Sequence, residues 1–148
     1  MSDSIEILNE RLFPVDRATL FDAFADPAKL ARWWGPEGFT NRISAFDLRP
    51  GGSWRVTMIA DNGAEFHNLW TFEDVVASEA VTMTHHEPVH VFTLEMRFSD
   101  ESRGARLCWR MLFDRTEENE QLEKFLHAAN EQNFDRLERM LDQAKGDH

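Results

Sequence analysis

The sequence has little cysteine, no tyrosine, and no apolar run long enough to cross a membrane. Cys108 is the single cysteine among 148 residues, so no internal disulfide can form. A lone thiol is typical of a protein from a reducing compartment. The first residues, Met1 to Ser4, show neither a basic start nor an apolar stretch, which predicts no secretory signal. We therefore expect a soluble, cytoplasmic protein without membrane insertion.

Positive charge is also scarce. The formal net charge at pH 7 is −11, because 16 Lys and Arg face 27 Asp and Glu. Such a charge repels nucleic acids and anionic lipid surfaces at long range. Nucleic-acid binding proteins usually carry a basic face, whereas the arginines here are scattered among carboxylates. Nucleic acid is thus not an expected partner.

Large aromatic rings without hydroxyl groups are abundant, with 12 Phe and 5 Trp. Such rings fill a thick core or line an apolar cavity, and composition alone does not separate the two uses. A chain of this length fits one domain and buries roughly two thirds of its unfolded surface. Since we find no repeat or linker, we predict a single domain over residues 1–148.

The first part of the chain reads as one strand followed by two short helices. Ile5 to Phe13 alternates loosely and favours a strand. Asp16 can cap a first helix. Asp26 can cap a second, with Pro27 in its first turn, where the missing N–H costs nothing. Gly35, followed by proline, predicts the end of that helix.

Six segments that alternate apolar and polar residues come next, separated by turn signals. Asn62-Gly63 favours a two-residue type I′ hairpin turn. Short connections impose antiparallel pairing, and the alternation predicts one wet face and one buried face. The predicted strands are Asn41 to Leu48, Ser53 to Met58, Glu65 to Val76, Glu79 to His86, Phe92 to Phe98 and Arg106 to Phe113.

From Asp114 to about Ala144 the apolar period becomes helical. Asp114 and Glu117 are spaced as a capping pair. The helix of about thirty residues would be roughly 45 Å long and must bury its apolar stripe on the sheet. The stripe is Leu122, Phe125, Leu126, Ala129, Leu137, Met140 and Leu141. The pattern predicts an α+β helix-grip fold: a curved antiparallel sheet wrapped around a long C-terminal helix, with two short helices after strand one.

Three motifs carry a resemblance to a known family. They are Asp26-Pro27-x-x-Leu30-x-x-Trp33-Trp34-Gly35-Pro36, then Phe46-Asp47-Leu48-Arg49-Pro50-Gly51-Gly52-x-Trp54, then Trp109-x-Met111-x-Phe113. They look like the family named after the activator of the 90-kDa heat-shock protein's ATPase. The order of elements resembles the START-like or SRPBCC superfamily, from about Glu6 to Leu141. The resemblance implies a helix-grip fold with a cavity for a small hydrophobic ligand, whereas function varies widely.

The sequence departs from that family pattern at two places, one in a turn and one in the C-terminal helix. Ala77-Ser78 stands where the family often has Pro-Pro, and Asn133-Phe134 stands where it often has Gly followed by Trp. Asn133 would bring a polar amide to the face of the helix that packs on the sheet.

The inward register of the sheet, together with the helix stripe, gives the candidate ligand-binding residues. For any one of them, a place in the core is the alternative interpretation. Methionine adapts to irregular shapes and is common at permissive binding surfaces. The candidates are Trp54, Val56, Met58, Trp70, Met83, His85, Phe92, Leu94, Met96, Trp109, Met111, Phe125, Ala129 and Asn133. We expect a small hydrophobic molecule as partner, with no cofactor and no metal.

Polar groups that reach such a cavity fix the orientation of a ligand. His85, Asn68, Asn130 and Asn133 are the candidates. His85 shares its register with inward residues and could donate a hydrogen bond or act as a base, or be a satisfied hairpin histidine. On a strand His85 and His86 point to opposite faces, so with His90 they form a poor metal chelate.

Trp33 and Trp34 allow two interpretations. They form a mobile lid hinged at Gly35, or one ring fills the core and the other packs on the surface. Adjacent residues at a helix end are not expected to point inward together. Cys108 lies in the polar register of its strand without an assignable histidine base, so we do not expect it to be a nucleophile.

Three function classes remain open. The favoured one is a module that binds a small, largely hydrophobic ligand between the sheet and the C-terminal helix. An enzyme of the cyclase, dehydratase or hydrolase type would need His85 or a carboxylate in the cavity beside a hydrogen-bonding partner. A chaperone-linked interaction module would need an exposed apolar patch, whereas the outward registers are polar. A homodimer through an edge strand is a further alternative.

Overall fold

The computed structural model describes residues 4–87 and 91–146. Along these residues the order of elements is β1 (Ser4–Phe13), α1 (Arg17–Ala25), α2 (Pro27–Trp33), β2 (Thr40–Phe46), β3 (Ser53–Ile59), β4 (Glu65–Val76), β5 (Ala80–Glu87), β6 (Phe92–Glu101), β7 (Gly104–Asp114) and α3 (Glu117–Gly146). The predicted turn at Pro88, the position of His90 and residues 1–3 lie outside the described residues. No helix in the described ranges is long and apolar enough to cross a membrane.

The strands form one seven-stranded sheet in the order β1-β7-β6-β5-β4-β3-β2. Every neighbouring pair is antiparallel. Strands β2 to β7 therefore form a meander, and β1 pairs with β7 at one edge of the sheet. Helix α3 packs against β1 and α2. The curved sheet, the long C-terminal helix and the two short helices after β1 confirm the predicted α+β helix-grip fold.

Two of the three predicted helix caps are confirmed. Asp16 Oδ1 accepts a hydrogen bond from the Thr19 N–H at 2.7 Å, and Asp26 Oδ1 accepts one from the Ala28 N–H at 2.9 Å. These bonds satisfy N–H groups that have no partner inside the helix. Pro27 is in the first turn of α2, as predicted.

The predicted cap of α3 is wrong. Asp114 is the last residue of β7, where it pairs with Ser4. Thr116 caps the helix instead, because its Oγ1 accepts a hydrogen bond from the Asn119 N–H at 3.1 Å. Asp114 therefore remains in the strand, and it contacts the helix through its backbone carbonyl, which accepts a hydrogen bond from Asn119 Nδ2 at 2.7 Å.

The predicted type I′ turn at Asn62-Gly63 is also wrong. The connection between β3 and β4 is the loop 60–64, and Gly63 has a φ of +89° while Asn62 stays outside the positive-φ region. A type I′ turn needs positive φ at both central residues. The Asn62 side chain instead accepts a hydrogen bond from the Ala64 N–H at 2.9 Å, which stabilises a wider turn.

Burial along α3 is uneven. Its C-terminal half packs into the core through Phe134, Leu137, Met140 and Leu141, all of which are buried. In its N-terminal half Leu122 and Leu126 are half-buried, and Phe125 is 64% exposed. This half of the helix covers the sheet without sealing it, and a cavity lies beneath it.

Candidate functional site

A cavity of about 230 Å³ lies between the inner face of the sheet, the loop after α2 and the N-terminal half of α3. Its wall is dominated by aromatic rings and methionines. The lining residues are Trp34, Gly35, Pro36, Met58, Asn68, Trp70, His85, Phe92, Leu94, Trp109, Met111, Phe125, Leu126, Ala129, Asn130 and Asn133.

Most of the predicted ligand-binding residues are brought together on this wall. From the sheet they are Met58, Trp70, His85, Phe92, Leu94, Trp109 and Met111, and from α3 they are Phe125, Ala129 and Asn133. The alternation of β3 to β7 places the sheet residues on one face, and the helical period places the other three above it.

Four predicted residues lie away from the cavity, in the core. Trp54, Val56, Met83 and Met96 are buried, and none of them lines the cavity. The inner face of the sheet is longer than the cavity, and core side chains fill the rest of it. Trp34, which lines the cavity, contacts Trp54 with ring centroids 4.8 Å apart. Strand register predicts which residues lie on the inner face of the sheet, but it does not predict which of them line the cavity.

Trp33 and Trp34 are both buried, so the expectation that only one of them points inward is wrong. Helix α2 ends at Trp33, and Trp34 has an extended backbone with φ −67° and ψ 137°. The change of backbone turns the second ring inward as well, because helical spacing no longer applies. Trp33 Nε1 donates to the Ala23 carbonyl at 2.8 Å, while Trp34 forms part of the cavity wall.

The loop that carries Trp34, Gly35 and Pro36 is held by Arg136 of α3. Arg136 Nη1 donates to the carbonyl oxygens of these three residues at 2.8, 3.0 and 3.1 Å. Its Nη2 donates to the carbonyls of Arg32 and Phe39 at 3.3 and 2.9 Å. Loss of hydration on burial lowers the pKa of Arg136, and repulsion from Arg139 acts in the same direction. Arg136 is not among the residues predicted from the sequence, although its spacing from Asn133 places it on the same side of the helix.

Asn133 also holds this loop. Its Oδ1 accepts a hydrogen bond from the Gly35 N–H at 2.9 Å, and its Nδ2 donates to the Trp33 carbonyl at 3.4 Å. Gly35 has a φ of +90°, and a Cβ at that position would come within 2.6 Å of Met58 Cε. The positive φ favours glycine here, and a Cβ would in addition displace the tip of the Met58 side chain. The amide that departs from the family pattern thus fixes one wall of the cavity.

His85 and Asn68 form a hydrogen-bonded pair on the opposite wall. His85 is buried, and its Nε2 lies 2.7 Å from Asn68 Oδ1. Asn68 Nδ2 donates to the Phe66 carbonyl at 2.9 Å, so Oδ1 is the acceptor for His85 and Nε2 carries a hydrogen. The imidazole also stacks on Phe92 with ring centroids 4.7 Å apart. The inward register predicted for His85 agrees with this position.

A buried network joins Asn130, which the sequence predicted as a polar group of the cavity, to Asn9, which it did not. Asn9 of β1 is 2% exposed and Asn130 of α3 is 7% exposed. Asn9 Nδ2 donates to Glu131 Oε2 at 2.7 Å and to the His127 carbonyl at 3.2 Å. Asn130 Nδ2 donates to Asn9 Oδ1 at 3.0 Å and to Met111 Sδ at 3.2 Å. One signal was available: Asn9 is the polar residue in the inward register of Ile5 and Ile7.

The chemistry available in the cavity is limited. Of the described residues that line it, His85 alone is ionisable. His86 points outward and bonds to Thr71 Oγ1 at 2.9 Å, on the face opposite to His85 as predicted. Within residues 4–87 and 91–146, no group of three His, Cys, Asp or Glu side chains is arranged to hold a metal ion.

Solved structures of bacterial proteins share this fold. A protein from Nitrosomonas europaea gives a TM-score of 0.83 at 22% identity, and the alignment covers 96% of this chain and 97% of that chain. For the AHSA1-like protein from Aeromonas hydrophila the TM-score is 0.81 at 21% identity, with 97% and 96% covered. For the AHSA1 protein from Silicibacter pomeroyi it is 0.78 at 22% identity, with 95% and 99% covered.

Sequence comparison identifies the family. A search of curated proteins gives no match to this chain. The family model described as Activator of Hsp90 ATPase homolog 1-like protein matches residues 14–142. Because that match spans most of the chain, the protein belongs to the Activator of Hsp90 ATPase homolog 1-like family, within the SRPBCC superfamily.

Proposed function

We propose that the protein binds a small, largely hydrophobic molecule in the cavity between the sheet and α3. The observation that carries the proposal is an apolar, mainly aromatic wall around about 230 Å³ of space, with few polar groups among the residues that line it. Binding sites for small molecules have this composition. Proteins of this fold family commonly bind hydrophobic ligands, which supports the same reading.

The volume of the cavity bounds the ligand. A dry apolar cavity of about 150 Å³ holds benzene. A cavity of about 230 Å³ therefore suits a molecule of one or two rings rather than a long-chain lipid. Aromatic side chains on the wall favour an aromatic ligand, since ring pairs gain about 0.5–1.5 kcal/mol beyond area burial.

The enzymatic alternative has less support. General acid–base catalysis needs a proton donor and a proton acceptor within reach of the substrate. Among the described residues of the wall, His85 is the one group that can change its protonation, and its partner Asn68 is an amide. We therefore propose binding rather than turnover.

A first test is native mass spectrometry of the protein purified from its own host, followed by extraction under denaturing conditions. We expect a bound apolar small molecule. An apo mass, together with no thermal shift against a panel of aromatic metabolites and lipids, would contradict the proposal and favour a search for protein partners.

A second test uses two neighbouring alanines of α3. Ala129 lines the cavity, whereas Ala128 is exposed on another side of the helix. Ala129→Leu fills part of the cavity and should lower the affinity for naphthalene at least tenfold in a tryptophan-fluorescence titration. Ala128→Leu adds the same side chain outside the cavity and should leave the affinity unchanged. Equal effects of the two substitutions would argue against binding in this cavity.

A further inference from the structure

We propose that Asn130 Oδ1 is the polar anchor of the cavity and accepts a hydrogen bond from the ligand. The ligand is then a neutral aromatic molecule that carries one hydrogen-bond donor, a hydroxyl or an N–H group. This inference rests on the proposed function, because it concerns the same cavity.

The orientation of the Asn130 amide follows from a chain of contacts that begins at the surface. The Glu131 carboxylate and the His127 carbonyl can only accept, so Asn9 turns its Nδ2 towards them and its Oδ1 towards Asn130. Asn130 must then present its Nδ2 to Asn9. Arg11 holds the Glu131 carboxylate at 3.1 Å, which fixes the start of the chain.

The same contacts leave the Asn130 oxygen available. One Nδ2 hydrogen of Asn130 goes to Asn9 and the other to Met111 Sδ, so its donors are used by the protein. In the described part of the chain Oδ1 has no hydrogen-bond partner, and Asn130 belongs to the wall of the cavity. A donor on the ligand would give this oxygen a hydrogen-bond partner, and a hydrogen bond to a group on an otherwise apolar wall fixes the orientation of the ligand.

The ligand is neutral because the wall offers no counter-charge. None of the described residues that line the cavity is a lysine, arginine, aspartate or glutamate. Transfer of an unpaired charge into an apolar site costs several kcal/mol. A neutral donor group satisfies Asn130 without that cost.

Three naphthalene derivatives of similar size test the inference on the wild-type protein at pH 7. 2-Naphthol has a donor, 2-methoxynaphthalene has an acceptor only, and 2-methylnaphthalene has neither. One neutral hydrogen bond corresponds to roughly 1 kcal/mol, so we expect 2-naphthol to bind about fivefold more tightly than the other two. Equal affinities, or tighter binding of the methoxy compound, would overturn the anchor and leave cavity binding intact. No binding of any of the three would overturn the proposed function itself.

Two substitutions locate the hydrogen bond. Asn130→Leu removes the acceptor and should abolish the preference for 2-naphthol over 2-methylnaphthalene. Asn68→Leu tests the alternative anchor, because Asn68 also lines the cavity; if Asn130 is the anchor, the preference for 2-naphthol persists in this variant whatever the overall affinity. Loss of the preference in Asn68→Leu alone would assign the anchor to the His85–Asn68 pair instead. If Asn130→Leu does not fold, Asn130→Ala replaces it, with the same expected result.

Discussion

Among single residues, Phe125 combines a place on the cavity wall with a side chain that is 64% exposed. Phe125→Leu removes ring surface from the cavity rim and little from the core. We expect the affinity for naphthalene to fall several-fold, because ring contacts are worth about 0.5–1.5 kcal/mol. The melting temperature should change little, since the residue is exposed. Ligand titration and thermal unfolding of the same variant measure the two effects.

Phe134 on the same helix is the matched control. It is fully buried and contacts Phe13 and Trp109 ring to edge. Phe134→Leu should lower the free energy of unfolding by about 1–2 kcal/mol, because it leaves a small void in the core. If Phe125→Leu destabilised the protein as much and left the affinity unchanged, Phe125 would be a core residue.

The thiol of Cys108, on the polar outer face of the sheet, is expected to react slowly in the folded protein. Burial of the half-buried thiol, then repulsion from the Glu10 carboxylate, raise its pKa above the ordinary value. A raised pKa leaves less thiolate at a given pH, and thiolate is the reactive form. We therefore expect iodoacetamide to alkylate the folded protein more slowly than the urea-unfolded chain between pH 7 and pH 9. A faster reaction in the folded state would contradict this.

The same shift has a consequence for stability, with a defined sign. A thiol whose pKa is raised by folding stabilises the native state below its ordinary pKa, and this contribution is lost as the pH rises through the folded pKa. Cys108→Ser should flatten the decline of stability above pH 8.

At the scale of elements, the loop after α2 depends on one side chain of α3. Arg136 donates to the carbonyls of Trp34, Gly35 and Pro36 through a rigid guanidinium. Arg136→Lys keeps the charge, but the three donors of one ammonium group cannot serve all five carbonyls that the guanidinium contacts. We expect a loss of about 2 kcal/mol in the free energy of unfolding and weaker ligand binding, because Trp34 forms part of the wall. Urea unfolding and naphthalene titration measure both.

Arg139, a surface arginine on the same helix, is the control for this substitution. It pairs with Glu37 at the surface, where both side chains are about half exposed. Surface ion pairs contribute about 0–1 kcal/mol, so Arg139→Lys should change stability by less than about 0.5 kcal/mol. Equal losses in the two variants would mean that the carbonyl contacts of Arg136 do not hold the loop.

The elements themselves were largely predictable from local signals. Alternation gave the bounds of β4, Glu65–Val76, and the caps Asp16 and Asp26 were confirmed by their hydrogen bonds. These features depend on neighbours in sequence. Trp34 was misjudged because the helical period was extended one residue past the end of α2, into extended backbone.

The polar contacts of the site were less predictable than the elements. Asn9 meets Asn130 across 121 positions, and Arg136 meets Trp34 across 102. Such pairs exist only after the helix has packed on the sheet, so no local pattern shows them. Inward register identified most of the wall, but which part of the inner face stays open depends on how α3 lies above it.

At the scale of the whole molecule, the pattern of burial separates a packed half from a half that holds the cavity. The C-terminal half of α3 packs with the core, and the N-terminal half lies above the open space. The fold and the family are established on this arrangement and on the family match. The single domain over residues 1–148, the cytoplasmic location and a homodimer through an edge strand stay predictions.

The net charge of −11 and the uncharged wall together bear on the ligand class. An acidic protein repels an anion at long range, and the Debye length falls from about 30 Å at 0.01 M salt to about 8 Å at 0.15 M. The affinity of a neutral ligand does not depend on this screening, because it has no net charge for the protein to repel. We therefore expect the affinity for 2-naphthol to be the same at both NaCl concentrations, in titrations at pH 7.

The anionic relative of that ligand provides the contrast. 2-Naphthoate has the same rings, but its carboxylate would lose its hydration in a cavity without a described counter-charge. Salt weakens the repulsion by the protein but does not supply the missing partner, so binding should stay undetectable at both concentrations. Detectable binding of 2-naphthoate at either concentration would mean that a cationic group reaches the cavity. The ligand would then be an organic acid, and the anchor at Asn130 would be the wrong one.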